Sequence, residues 1–99
     1  MNRLHITGTV CKPVKLETSP SGIEHLMVTI EHRSMQPEAG MSRQSYVKLQ
    51  LVMSGEGLQH WLQKLTVGSE VHAEGFLHRH EDKNGLARLV LHAQHLEQI

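Results

Sequence analysis

Two adjoining runs, Tyr46-Val47-Lys48-Leu49-Gln50-Leu51-Val52-Met53 and Leu58-Gln59-His60-Trp61-Leu62-Gln63-Lys64-Leu65, decide the fold. In the first, Val47, Leu49, Leu51 and Met53 alternate with Tyr46, Lys48, Gln50 and Val52, the period of a half-buried strand. In the second, Leu58, Trp61, Leu62 and Leu65 recur at i, i+3, i+4 and i+7, which predicts a helix of two to three turns with its apolar stripe, Trp61 included, in the core. Val67-Gly68-Ser69 ends it. Outward from this change of period the chain alternates almost throughout. Upstream, Leu4, Ile6, Gly8 and Val10 share one face of a first strand over 3–10, with Gly8 marking a bulge or a close backbone approach. Lys12-Pro13 stops that strand, the turn at Thr18-Ser19-Pro20-Ser21-Gly22 follows, and a second strand runs over 23–33. Residues 34–44 contain Pro37 and Gly40, show neither period, and read as a long exposed loop. Downstream, a fourth strand over 70–80 and a fifth over 86–96 flank Asp82-Lys83-Asn84-Gly85, whose Asn-Gly pair favours a tight hairpin tip. Three strands, one helix and two strands predict an all-β domain with one short helix, a five-stranded OB-fold Greek-key barrel.

Composition bounds what this barrel does. The chain has 99 residues, the size of one small domain spanning 1–99, with ten Lys plus Arg against ten Asp plus Glu. That balance excludes a globally basic nucleic-acid binder but leaves room for a local cationic strip. Tyr46, Trp61 and Phe76 are the only Phe, Trp or Tyr residues, so any stacking platform is sparse. A single cysteine, Cys11, permits no internal disulfide and reads as a structural thiol, and no signal sequence or spanning segment is visible, so a soluble cytoplasmic protein is expected.

The opening Asn2-Arg3-Leu4-His5-Ile6-Thr7-Gly8-Thr9-Val10, the Ser19-Pro20-Ser21-Gly22 turn and Glu31-His32-Arg33-Ser34 resemble the primosomal replication protein N (PriB) family. Val67-Gly68-Ser69, Gly75-Phe76, Lys83-Asn84-Gly85-Leu86 and Val90-Leu91-His92-Ala93 follow in the same order, so the likeness covers essentially the whole chain. The layout is also similar to the core of bacterial single-stranded-DNA-binding proteins, without an acidic tail after Ile99. The resemblance implies a homodimer with the first strand at its twofold axis. It also implies single-stranded DNA binding in replication restart, with the restart helicase PriA and the primosomal protein DnaT as partners.

OB barrels bind strands across their second and third strands and between flanking loops. That geometry selects Lys12 and Lys15 in the first loop, Arg33 and Arg43 beside the long loop, Lys48 on the third strand, and Lys83 and Arg88 with Arg79 at the last hairpin. Tyr46, two residues before Lys48, puts a stacking ring and an ammonium on one surface, whereas Phe76 suits stacking or an interface equally. Members of the family carry aromatic residues at the positions of Met41 and Tyr46 and lysines in the last hairpin. Here Met41 offers a thioether instead, and Glu81 and Asp82 adjoin Lys83, which predicts weaker binding or binding shifted toward Arg33, Arg43, Lys83 and Arg88.

The nine histidines, with close pairs at His78/His80 and His92/His95, raise a metal site only weakly, because neither a Cys pair nor a His-Glu-x-x-His helix is present. Protonation below their reference pKa of about 6.5 would instead make strand binding pH-sensitive. No nucleophile elbow or phosphate-binding Gly-Lys-Ser/Thr loop occurs, so the reading is a non-enzymatic binding protein without cofactor or metal. The competing reading is an OB-fold adaptor for protein contacts in which nucleic-acid binding is secondary.

Overall fold

Alternation in the sequence becomes alternation in burial. The computed structural model describes residues 1–99. β1 (Leu4–Val10) turns Leu4, Ile6, Gly8 and Val10 inward and exposes His5, Thr7 and Thr9. It is followed by β2 (Lys15–Thr18), β3 (Glu24–Glu38), β4 (Met41–Gly55), a short helix α1 (His60–Lys64), β5 (Glu70–Glu81) and β6 (Ala87–Gln98). The strands form one sheet in the order β1-β5-β6-β4-β3-β2, and a second pairing of β1 with β3, Thr9 opposite Glu31 and Val10 opposite Ile30, closes it into a barrel. β1 and β2 are the two arms of one bent strand. The Cys11 N–H still donates to the Thr29 carbonyl at 3.0 Å, while Pro13, which has no N–H to give, sits in the break. Counted so, the architecture is the expected five-stranded barrel with one helix. The short strand β2 itself, placed within a loop by the sequence reading, is a correction.

The core is aliphatic. Leu26, Val28 and Ile30 of β3, Leu51 of β4, Val71 of β5, Leu91 of β6 and Val10 of β1 are almost wholly buried. Burial of each such side chain is worth about 1.5–3 kcal/mol. Leu58, Trp61 and Leu65 join the same cluster. The helix that carries Trp61 is shorter than its sequence period predicts: α1 has five residues, because Leu65 already adopts an extended conformation at φ −99° and ψ 125°. With little more than one turn, only a narrow stripe meets the barrel, and Leu62, expected in the core, is 42% exposed.

Residues 34–44 are not a loop. β3 and β4 pair in unbroken register from Glu24 opposite Gly55 to Glu38 opposite Met41. The turn between them is made by Ala39 and Gly40, both in the left-handed region at φ 51° and 75°, the two-residue arrangement whose twist suits a hairpin. The outer half of this ribbon has no core to face, so both of its sides are exposed and the hydrophobic alternation that marks a strand is missing there.

At Glu74/Gly75 the pairing of β5 with β6 shifts by one residue. A Cβ on Gly75 would lie 1.8 Å from the His92 carbonyl oxygen. Gly75→Ala is therefore expected to lower stability in urea denaturation by about 2 kcal/mol or more, since backbone cannot yield as a flexible side chain does. Gly57, at φ +70° with open space around it, should lose only about 1 kcal/mol on the same change. Equal losses would show that the bulge relaxes freely.

Candidate nucleic-acid interface

Ten cations and ten acids are not mixed evenly over the surface. Arg3 pairs with Glu74, Arg33 with Glu31 at 3.9 Å, Arg43 with Glu38 at 3.5 Å and Arg79 with Glu81 at 2.6 Å. Asp82, awkward beside Lys83 in the sequence, is occupied by the backbone: its Oδ1 accepts the N–H of Asn84 at 2.9 Å and of Leu86 at 3.0 Å, closing the hairpin tip. Such exposed ion pairs add about 0–1 kcal/mol each to stability. Their larger consequence is that the cations left without an acid are Lys12, Lys15, Lys48, Lys64, Lys83 and Arg88.

Four of these six converge. Lys12 and Lys15 from the bend and β2, Lys48 from β4 and Arg88 from β6 rim a cleft of about 620 Å³ on the outer sheet face, floored by Met27, Thr29 and Gln50. Register explains the convergence. β4 and β6 run parallel with Gln50 opposite Val90, so Lys48 and Arg88, each two residues earlier, point out of the same face side by side. Lys15 opposes Met27 across β2 and β3, which brings the third ammonium to the other wall. Glu17 is the single acid in the lining, and Pro13, Leu49 and Leu89 add apolar surface.

The face continues onto the ribbon. Arg33 and Tyr46 are cross-strand partners, and the guanidinium carbon lies 4.8 Å from the centre of the Tyr46 ring. Tyr46 is 51% exposed, so it offers a flat ring pre-set by a stacked cation. Met35, opposite Gln44, comes next on the same side and is well exposed. Sequence patterning does not reveal it, because the residues around it lack the alternation of a half-buried strand. Met41 and Arg43, paired with Glu38 and Gln36, fall on the reverse side of the ribbon by the two-residue alternation. Lys83 is exposed at the β5–β6 hairpin tip, beyond the last pairing of Glu81 with Ala87. The structure thus brings together Lys12, Lys15, Lys48 and Arg88, sets Arg33 and Tyr46 further along the same face, and holds Met41, Arg43 and Lys83 apart.

At the other end of the face Phe76, undecided from sequence, is half-buried and stacks on the His92 imidazole with ring centres 5.0 Å apart. Burial pushes the His92 pKa below its ordinary value, and the neighbouring His78, His80 and His25 add to the shift.

Comparison with known proteins places the chain. A family model described as "Another single-strand binding protein family" matches residues 2–95. The replication restart protein PriB of Proteus mirabilis is 49% identical over 98 residues, covering 99% of this chain and 93% of that protein. The replication restart protein PriB of Pectobacterium atrosepticum is 44% identical over 99 residues, covering 100% of this chain and 93% of that protein. Among solved structures, the protein priB from Ralstonia solanacearum superposes with a TM-score of 0.77 at 22% identity, covering 100% of this chain and 99% of that one. The wild-type single-stranded DNA binding protein from Thermus aquaticus superposes with a TM-score of 0.82 at 17% identity, and this chain spans 50% of its length. These two structural likenesses speak to the fold alone. The relatives carry names of restart and binding proteins, not of enzymes.

The charge sorting is open to direct measurement. Hydrogen bonding from the Arg3 guanidinium, reinforced by its charge and by His5 and His95 and opposed by desolvation, holds the Glu74 carboxyl below its ordinary 4.5. A carboxylate whose folded pKa is depressed adds stability that is present above the unfolded value and lost as pH falls through the folded one. Arg3→Ala should raise the Glu74 titration midpoint, followed by NMR, toward 4.5; an unmoved midpoint would mean that the pair does not form in solution.

Proposed function

The chain belongs to the single-strand-binding family and, within it, to the replication restart proteins PriB; from that membership we propose that it binds single-stranded DNA along the outer face of β2, β3, β4 and β6. The observation that carries this reading is the segregation of Lys12, Lys15, Lys48 and Arg88 around one cleft in a chain of zero net charge. The four cations neutralise phosphates and release counterions, a term that is independent of base sequence. Bases lie on the Tyr46 ring beside Arg33, with Met35 and Leu89 as further apolar contacts, because any base presents a π-face to an aromatic ring. Lys83 reaches the strand from the hairpin tip. Met41 and Arg43 meet it only where it wraps around the ribbon edge.

The restart role is proposed on the same grounds. Two copies pair through β1, whose edge toward β3 is unpaired from Leu4 to Gly8, doubling the cations along one path. The bound dimer then bridges the restart helicase PriA to DnaT. The reverse side of the ribbon, with Met41 73% exposed, faces away from the lysine cleft and, beyond the edge the strand wraps, is open to such a contact.

Fluorescence anisotropy with a labelled oligothymidylate of about thirty nucleotides tests the reading. With four phosphates neutralised, log K against log salt should fall with a slope of about −3. Lys48→Ala should shrink that slope by about 0.7. Tyr46→Ala should weaken binding by about 1–3 kcal/mol and leave the slope alone. Absence of binding at low salt would remove the proposal, and equal slopes for the two variants would remove the assigned path.

A further inference from the structure

Immediately beyond Arg88 the outer sheet face changes from lysine to histidine. His25 comes from β3, His78 and His80 from β5, and His92 from β6. Their assembly follows from pairing: His80 opposes Arg88, His78 opposes Val90, His92 opposes Phe76 on one side and Val52 on the other. His92 lies flat on Phe76, the planes within 6° of each other, and His78 meets His92 edge-on at 5.3 Å. His25, His80, His92 and Arg88 line a second concavity of about 290 Å³, which shares Glu17, Met27, Gln50 and Arg88 with the lysine cleft. The two hollows are one continuous surface.

We propose that this histidine patch is a second, proton-dependent phosphate-binding stretch of the nucleic-acid path, engaging the backbone of a single strand when its imidazoles are protonated. The proposal rests on the strand-binding reading of the lysine cleft. The groups facing the patch are Lys15 and Glu17 from β2, His25 from β3, the uncharged Gln50, Val52 and Ser54 from β4, His78 and His80 from β5, and Arg88 with His92 from β6. Glu17 is the only acid among them, so nothing else within the fold competes for imidazolium. The His25 Nδ1 and the Ser54 hydroxyl share a hydrogen bond at 2.7 Å. The remaining five histidines differ: His5 and His72 lie by Glu74 and Glu97, His95 opposes Glu74, His32 bonds the Thr7 carbonyl and the Ser34 hydroxyl, and His60 bonds the Gly57 carbonyl. No three of the ligand-type side chains are placed to hold a metal ion.

In the free protein these imidazoles repel one another when charged, and burial of His92 opposes its protonation. A phosphate between them cancels the repulsion, so binding draws protons in. Proton uptake on binding makes affinity rise as pH falls, by at most about tenfold per pH unit for each proton taken up.

The test compares wild type with His78→Gln/His80→Gln, both positions exposed strand residues, and with His60→Gln on the helix as control. Each binds the same labelled oligothymidylate at pH 8 and pH 6 at two salt concentrations, with circular dichroism verifying the fold. Wild type and the control should bind about 3- to 10-fold more tightly at pH 6, with a steeper salt slope. The double variant should match wild type at pH 8 and lose most of the gain at pH 6. A wild type that binds at pH 8 but shows no pH response, or a double variant that keeps the gain, would overturn the histidine patch alone. No binding at either pH would overturn the strand-binding reading and this inference with it.

Discussion

The parallel pairing of β4 with β6, Gln50 opposite Val90 and Leu51 opposite Leu91, is the constraint on which the rest of the molecule depends. It brings the last strand back beside the middle of the sheet, so that closure of β1 on β3 and β5 leaves no broad open side. It also buries Leu51 and Leu91 together and turns Lys48 and Arg88 outward together. Because successive side chains alternate between faces, a slip of one residue would bury the cations and expose the leucines. Core and cationic face are thus held by the same hydrogen bonds, and the aliphatic core enforces the positions of Lys48 and Arg88 at no cost to their solvation.

Electrostatic neutrality of the whole chain conceals a sorted surface. Four arginines are partnered by carboxylates, and Asp82 is taken up by backbone amides. What remains is mostly lysine, and most of it rims one cleft. Long-range attraction of a polyanion would be modest, since net charge is zero, while contact attraction inside the cleft is opposed by one acid, Glu17, against four cations. Under the proposed strand binding, this division favours capture at short range over gathering nucleic acid from a distance.

Legibility followed the hydrophobic core. Where a strand has one face on the barrel, as in Leu26-Met27-Val28-Thr29-Ile30, burial alternates and the sequence shows it. Trp61 was legible for the same reason, and the Asn84-Gly85 tip because Gly85 takes φ +78°. The ribbon over 34–44 was not, since both of its faces meet water and its pairing is carried by backbone groups that every residue possesses. Nor was the length of α1, which ends where the chain must turn into β5 rather than where its apolar period stops. Met35 remained hidden with the ribbon, whereas Tyr46 and Lys48 were visible on the patterned half of β4.

The sequence by itself determined the order of elements, the barrel they form, the identity of the core and the residue types available to meet a strand, because periodicity and turn chemistry are local properties of a chain. Which cations stand together was decided only by tertiary structure. Lys12, Lys15, Lys48 and Arg88 are scattered over most of the chain length and meet through cross-strand register, and it is pairing with β3 that makes 41–44 a strand and so sets Met41 and Arg43 on the opposite side from Tyr46. Register is a property of pairs of strands, so no reading of one strand at a time contains it.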